Sequence, residues 1–488
     1  AALLPMFGFP TRSRSLFNMD SSSKGDNLVV SDRSLDHAIW SFSPGSELTK
    51  DKKVYTACGF AVVREERGVK KYDPDPLGYA IDVTRCKDIK CGAISLSKDD
   101  ECAICRESVD VFPLYQPKGF ITTGSSRDYS NNEQKNHGPS ILPPILAFSP
   151  EYKNSKGFGA CHYVLTSGKE IALVNDNQGR KFEFSQQWDT VLVKDEDLYK
   201  KEIFGKPVYL KDRKTIFKDC GAIGAVFSTD VLSLIIDNLP SASGIGIKGV
   251  LDPRQPNSEV ALVSFCELLR LAIASDLDVD PTELKVGHQR LLINKTPTYQ
   301  IFVADALENG SGYVRAAYGE HSEKRLHTIL CDHYEILKEK WQSVPHENCD
   351  ASCPDCLRNY SNRGQHGYLD WRLALDLCEL ALGRPLDENR WMNKADKIVA
   401  DFTSLLEQYK CEKIDQDRIG KVLTLASGEN AIIISHPLWQ QREGLSKDEQ
   451  RLAKSQLESN YSNIKCEYVD VRSLLLYPQK YIGQFFKQ

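Results

Sequence analysis

Two rhythms of hydrophobic and polar positions divide the chain. Up to about residue 255 the apolar positions come in short runs, at 27–30, 53–63, 79–83, 163–165, 170–174, 181–184, 190–193 and 208–210. Turn formers separate them, among them Pro44-Gly45 and Asp73-Pro74-Asp75-Pro76. Short runs bounded in this way predict strands. Between the first two, Asp32 is placed to cap a short helix over 33–40, and Thr122-Thr123-Gly124-Ser125-Ser126 closes the first β-rich part. Residues 125–140 (SSRDYSNNEQKNHGPS) are polar and turn-rich, which predicts a loop or domain junction.

Beyond 255 the period lengthens. Val260, Leu262, Val263, Cys266, Leu268, Leu269, Leu271 and Ile273 recur at helical spacing and predict a largely buried helix over 257–277. A strand at 299–304 runs into a turn around Gly310-Ser-Gly312, and further helices are predicted at 322–342 and 369–382, the latter closed by Gly383 and Pro385. The last stretch reads as helix 391–409, strand 431–435, charged helix 446–460 and strand 466–469. The expected class is mixed α+β. Its expected parts are a β-rich segment over 1–125 holding a zinc ribbon (86–105), a mainly β domain over 140–255, an α/β zinc-binding domain over 256–385, and a small α/β unit over 390–488.

Composition narrows the class little: 26% charged and 41% hydrophobic residues are ordinary for a globular chain. The longest apolar candidate for a membrane span, 222–239, is interrupted by Ser228, Thr229, Asp230, Ser233 and Asp237, so a membrane role is not expected. A formal net charge of −5 means that any nucleic-acid contact must rest on local basic patches. The chain opens at Ala1 in apolar sequence with no initiator methionine, which we read as part of a longer polypeptide.

Cysteine spacing changes the picture most. Cys349, Cys353 and Cys356 crowd into eight residues with His346 just ahead, the separations that a tetrahedral zinc site needs. Cys86, Cys91, Cys102 and Cys105 form a four-thiolate set in two paired knuckles, the layout of a zinc ribbon. The alternative is a disulfide framework. An odd total of 15 cysteines, several in helix-like apolar stretches, and no signal peptide favour a reducing, cytoplasmic setting and structural zinc.

Several chemistries have no residues here. The chain holds no G-x-x-x-x-G-K-[ST] phosphate cradle, and the glycine-rich 241–249 stretch lacks a Lys-Ser/Thr in register. Gly310-Ser-Gly312 is short enough to be a strand-to-helix turn. By its own residues the chain is not expected to hydrolyse ATP, and no catalytic residue is assigned. Arg358, Arg363 and Arg372 surround the second cluster with Tyr360 and Trp371 interleaved, a pattern suited to phosphate contact and base stacking as well as to a solvated face. Arg12 and Arg14 are the other DNA-binding candidates. His436-Pro-Leu-Trp439 follows a buried strand, and a packed strand end is the preferred reading there.

Set beside its surroundings, the second cluster resembles a known family. The chain is similar to the C-terminal region of MrfA-type superfamily 2 DNA helicases, which ends in the MrfA zinc-binding (MZB) domain. The likeness runs through Leu4-Pro-Met-Phe-Gly-Phe-Pro-Thr-Arg12, Phe42-Ser-Pro-Gly-Ser46 with Tyr55-x3-Gly59, and Tyr115-x-Pro117-x-Gly119-Phe120. It continues through Ile301-Phe-Val-x-Asp305-x4-Gly310-x-Gly312-Tyr313, Cys353-x2-Cys356-Leu-Arg-x-Tyr360, Asn362, His366 and Leu369-Asp370. The resemblance implies an accessory region with two structural zinc ions that grips or routes DNA and docks partner proteins. It further implies ATP hydrolysis by motor domains upstream or in a separate chain, and a setting in DNA repair or antiphage defence of the DISARM or Druantia kind. A non-motor scaffold subunit of a defence complex is the competing reading. The chain departs from the family where a further cysteine often precedes Cys349, since Glu347 stands there. His346 is the first choice for fourth ligand, with Cys331 and His366 as alternatives. A nuclease in 390–488 is disfavoured because no D…E-x-K arrangement stands out.

Overall fold

The computed structural model describes residues 12–485 except 20–27, 68, 89–90, 125, 131–138, 140, 188, 194–201, 204–205, 208–215, 241–243, 294, 409–414, 428 and 443. Residues 4–11, the run expected at 208–210 and most of the polar stretch at 125–140 lie outside this description. Of that stretch, Arg127–Asp128 is described as a short strand paired with Val54 and Lys53.

The N-terminal part is built of short strands because its apolar residues come in short runs bounded by turn formers. Ser13–Phe17 pairs antiparallel with Val29–Ser34 and parallel with Phe120–Thr122, which in turn pairs with Lys53–Phe60. One short helix, Leu35–Ser41, closes this layer and buries Ala38, Ile39 and Trp40 against Phe42, Phe60, Phe120 and Phe184. Asp32 does not cap it. Residues 31–34 pair in register with Ser13–Leu16, so Asp32 lies within the strand Val29–Ser34 and Ser34 precedes the helix.

Two long strands organise the middle of the chain. Cys161–Asn175 and Ile216–Ile236 run antiparallel from Cys161 opposite Ile236 to Asn175 opposite Ile223, with a register shift between Thr166 and Lys169. The apolar run at 222–239 is thus largely strand, rich in the β-branched residues that fit a pleated, buried surface. Gly224 is required there: a Cβ would lie 2.5 Å from the Leu173 carbonyl oxygen and 2.6 Å from Leu114, where Val109–Tyr115 joins in parallel.

The same sheet carries into the part that holds the second cysteine cluster. Ile216–Ile236 pairs with Thr296–Asp305, which pairs with Leu284–Ile293 in unbroken register from Asp305 opposite Leu284 to Thr296 opposite Ile293. Over this face lies the helix Pro256–Asp276, apolar on nearly every side. It is buried between the sheet and the helices Arg325–Gln342 and Trp371–Ala381. Proline at its first turn costs nothing, because that N–H has no helical acceptor.

The last hundred residues hold a separate four-stranded sheet. Asp415–Ile419, Val422–Ser427 and Asn430–Ser435 are antiparallel, and Lys465–Asp470 adds parallel to the last of them through the crossover helix Asp448–Asn460. Its core, including Ile432, Ile433, Ile434 and Trp439, is continuous with that of the part that holds the second cysteine cluster. Among the described residues no helix is long and apolar enough to cross a membrane.

Candidate metal centres

The first cluster grows from the end of one strand. Ala80–Cys86 pairs with Val109–Tyr115, and the chain between them folds back twice. In the first turn the Cys91 and Gly92 N–H groups donate to the Asp88 carbonyl, and the Cys86 N–H donates to the Ala93 carbonyl. In the second, the Arg106 N–H donates to the Cys102 carbonyl and the Cys102 N–H to Glu107. Arg106 takes a left-handed backbone there, with φ of 65°. These paired turns aim four sulfurs at one point, all within 4.8 Å of one another. Sγ separations are 3.4 Å for Cys86–Cys105 and 3.8 Å for Cys91–Cys102. A tetrahedron with Zn–S bonds of about 2.3 Å has edges of roughly 3.8 Å.

Electrostatics agree with that donor set. Burial pushes the Cys86 and Cys91 thiols up. At Cys102 burial acts upward too, but the N–H groups of Cys105 and Ile104 outweigh it and bring the thiol down. Four thiolates gathered at one point need a cation to balance them, and a divalent metal with soft-ligand affinity supplies it.

The second cluster follows the helix Arg325–Gln342. His346 opens a single 3-10 turn, His346–Asn348, and the Cys349 N–H donates back to the His346 carbonyl at 2.8 Å. Cys353 and Cys356 form a knuckle in which the Cys356 Sγ accepts from the Cys353 N–H at 3.1 Å and lies 3.8 Å from the Cys353 Sγ. His346 Nδ1 is 3.0 Å from the Trp341 carbonyl. Since a carbonyl can only accept, Nδ1 carries the proton and Nε2 keeps its lone pair. Nε2 is buried with no hydrogen-bond partner, and it falls in the same 4.8 Å group as the three sulfurs. An outer carbonyl that fixes the tautomer is the arrangement metal-ligating histidines use.

Three thiols and an imidazole lone pair therefore fit zinc. The alternatives for the fourth position lie outside this group. Cys331 faces His327 Nε2 at 3.4 Å, and His366 Nε2 lies 3.1 Å from both the Asn359 carbonyl and Asn362 Oδ1.

What holds this loop was not visible in the spacing. Trp371 Nε1 donates to the Cys349 carbonyl, while the Arg372 guanidinium donates to the carbonyls of Glu347, Cys349 and Asp350. Arg372 is buried, its guanidinium 4.2 Å from the Trp371 ring, so it clamps the knuckle from inside and is not a surface cation. The usable signal was Asp370-Trp371-Arg372: Asp370 accepts from the Arg372 N–H as helix N-cap and so orients both clamping residues.

The four arginines considered for DNA differ in placement. Arg363 is exposed and lies 5.7 Å from the Tyr360 ring, and Arg358 is half-buried with Nε on Ser352 Oγ at 2.9 Å. Arg12 is held by Glu308 at 2.5 Å and by the Val226 carbonyl, and Arg14 Nε by the Pro117 carbonyl at 2.7 Å. The structure does not bring these two pairs into one cluster.

His436, at the end of Asn430–Ser435, sits in a fully buried polar network. Its Nδ1 accepts from the Leu438 N–H, and its Nε2 lies 3.3 Å from Asp376. Asp376 and Glu379 on the helix Trp371–Ala381 share Arg390, and Trp391 Nε1 donates to Asp376 at 2.6 Å. The sequence around His436 holds no carboxylate. The fold delivers one from sixty residues earlier.

Comparison with known proteins follows the same lines. Residues 265–357 match the MrfA Zn-binding domain, a span that contains His346, Cys349, Cys353 and Cys356. The Druantia protein DruE of Escherichia coli (strain UMEA 4076-1) is 25% identical over 413 residues, covering 78% of this chain and 21% of the relative. The chain thus spans about a fifth of that relative's length. The crystal structure of the DUF1998 helicase MrfA bound to DNA aligns over 75% of this chain and 34% of its own, at 12% identity and a TM-score of 0.34. Another crystal structure of that helicase aligns over 71% and 32%, at 8% identity and a TM-score of 0.26. The resemblance read from the sequence is borne out in its zinc-binding part: residues 265–357 are similar to the MrfA Zn-binding domain, and most of the chain is similar to part of DruE.

Proposed function

We propose that this chain is the zinc-bearing accessory region of an ATP-driven DNA helicase assembly, in which it binds and routes DNA and docks partner proteins. Antiphage defence is the setting favoured by the similarity to DruE. Two structural zinc ions are held by Cys86, Cys91, Cys102 and Cys105 and by His346, Cys349, Cys353 and Cys356. Neither site keeps an open position, so the metals shape surfaces and perform no hydrolysis.

The observation that carries the reading is the second knuckle. Its backbone is pinned from within by Trp371 and Arg372, and beyond the knuckle lie exposed Arg363 beside exposed Tyr360 and half-buried Arg358, whose Nε is on Ser352 Oγ. A rigid loop with outward guanidinium groups is a phosphate-contacting device. Arg12 and Arg14 are a second pair in this reading. They already spend donors on internal acceptors, so their removal should alter affinity less.

A salt titration tests it. DNA affinity of the whole chain should fall steeply with salt, and Arg358→Glu with Arg363→Glu should make the slope shallower by about one per lost contact. Both variants should keep their zinc. A DNA affinity that is absent or insensitive to salt, together with a salt-insensitive complex with a protein partner, would replace this reading with that of a scaffold subunit.

A further inference from the structure

The loop after Cys356 exposes two large aromatic rings where a small polar loop would suffice. Tyr360 is 77% exposed and Tyr368 51% exposed; Tyr360 precedes the short 3-10 segment Arg363–Tyr368, and Tyr368 ends it. Their backbone is held firmly. Asn362 Nδ2 donates to the Leu357 carbonyl at 2.8 Å, and the Asn359 N–H donates to Asn362 Oδ1 at 2.9 Å. His366 Nε2 reaches the Asn359 carbonyl, while Asn362 itself is buried. Just past the far end the Asp370 N–H donates to Ser264 Oγ at 2.8 Å, tying the loop to the buried helix Pro256–Asp276. The rings are thus mounted on a preorganised frame, and little ordering entropy is lost when something covers them.

The surrounding charge says what that occupant is. Arg363 lies over Tyr360, Arg358 enters from the knuckle, and Arg472 reaches the Gly367 carbonyl between the two tyrosines. Asp370, the carboxylate paired to Arg472, is buried beneath. Exposed rings among guanidinium groups suit a polyanion that also offers flat apolar faces. Nucleic acid with unpaired bases has both; a duplex hides its base faces in the stack.

We propose that Tyr360 and Tyr368 form a stacking platform for unpaired bases, so that the second knuckle takes single-stranded DNA in preference to duplex. This rests on the DNA-binding reading above and adds the strand state that the site selects. Phosphates lie along Arg358 and Arg363, and successive bases stack on the tyrosine rings. The hydroxyl groups take no part, which makes the platform tolerant of sequence.

The test compares the whole chain and its variants on a fluorescein-labelled single-stranded oligothymidylate and on a duplex of equal length. Tyr360→Ala and Tyr368→Ala should each lower single-strand affinity by about tenfold or more while leaving duplex affinity nearly unchanged. Tyr360→Phe and Tyr368→Phe should bind like the parent, since stacking uses the ring. Metal content reports that each variant keeps both knuckles. Single-strand affinity unchanged in both Ala variants overturns the platform while leaving the DNA-binding reading in place. Equal losses on single strand and duplex overturn it as well. A parent chain that binds neither DNA form removes both readings, and a salt-insensitive protein partner lost in the Ala variants would reassign the tyrosines to that partner.

Discussion

The Asp305 carboxylate accepts the Gly312 N–H at 2.7 Å. It also takes the N–H groups of Ser311 at 2.7 Å and Val314 at 3.0 Å, and so fills the turn between the strand Thr296–Asp305 and the helix Tyr313–Tyr318. A glycine turn of this kind can cradle an anion, and here the chain supplies its own. Gly310 and Gly312, with φ of 82° and 83°, provide the left-handed backbone that the turn requires.

The first prediction follows from that occupancy. The chain by itself should show no ATP turnover, because no lysine-bearing cradle exists in the sequence and the amides of this turn are already bonded. Asp305→Ala should instead destabilise the fold by about 2–4 kcal/mol, since one buried and two half-buried N–H groups lose their acceptor together. Asp305→Asn keeps one carboxamide oxygen and should cost less. Denaturant melting orders the three proteins, and ATP turnover by the parent chain alone would contradict the first half.

Metal stoichiometry is the second test. The whole chain should hold two zinc equivalents, and Cys102→Ser and Cys353→Ser should each lose a different one. A structural zinc contributes on the order of 10 kcal/mol in small isolated sites, so each loss should also loosen its own loop. Hydrogen exchange would place the two effects apart, at 86–105 in one variant and 346–370 in the other. Equal metal content in parent and variant would remove that cluster as a site.

His346 gives a sharper third test, because its role depends on one tautomer. His346→Ala should weaken zinc at the second knuckle by more than the roughly 10–100-fold that loss of an outer partner costs. His346→Cys restores a soft donor and should recover most of that affinity. If the Ala and Cys variants held zinc equally, the fourth ligand would lie elsewhere.

How far the sequence could be read depended on whether signals were local. The thiol clusters could be found because their ligands lie within a few residues, and the helix Pro256–Asp276 because its apolar period is strong. Leu284–Ile293 escaped notice: its mixture of Lys285, His288, Gln289 and Arg290 with apolar residues reflects a half-buried strand without clean alternation. The hairpin over 415–427 was missed for a similar reason, Asp415–Ile419 being mostly exposed and charged. The clamp of Trp371 and Arg372 on the Cys349 carbonyl, and the Asp376 carboxylate beside His436, are tertiary contacts over tens of residues, for which periodicity carries no signal.

The Arg390 network supports a fourth prediction about how the part that holds the second cysteine cluster meets the small C-terminal sheet. Arg390 is buried between Asp376 and Glu379, which also receive Trp391 Nε1 and the Tyr334 hydroxyl respectively. Burial acts to raise Asp376, but Arg390 and then His436 hold it below the usual carboxylate range. Arg390→Met keeps most of the packing and strands two carboxylates, which should cost about 3–5 kcal/mol. Removing all three charges together, as Asp376→Leu, Glu379→Leu and Arg390→Met, should recover much of that loss. Chemical melts of the single and triple variants decide it: a triple variant no more stable than Arg390→Met would mean that stranded charge is not the cause.

Asp370 supplies the pH dependence. It is fully buried, and although Arg372 and Arg472 pull its pKa down, burial dominates and raises it from 3.8 to about 6. The folded chain therefore binds this proton more tightly than the unfolded chain does. Between about pH 4 and 6 the folded state carries the extra proton, so stability from this group falls as pH rises through that window. Above it the cost is complete, on the order of 3 kcal/mol. Asp370→Asn stays neutral throughout and can still accept the Arg372 N–H as helix cap, though it gives up the attraction to Arg472. With zinc held saturating in both proteins, the stability of the variant relative to the parent should rise from pH 4 to 6 and level off near 7. Relative stabilities that stay parallel across that range would show that Asp370 keeps an ordinary pKa in the folded chain.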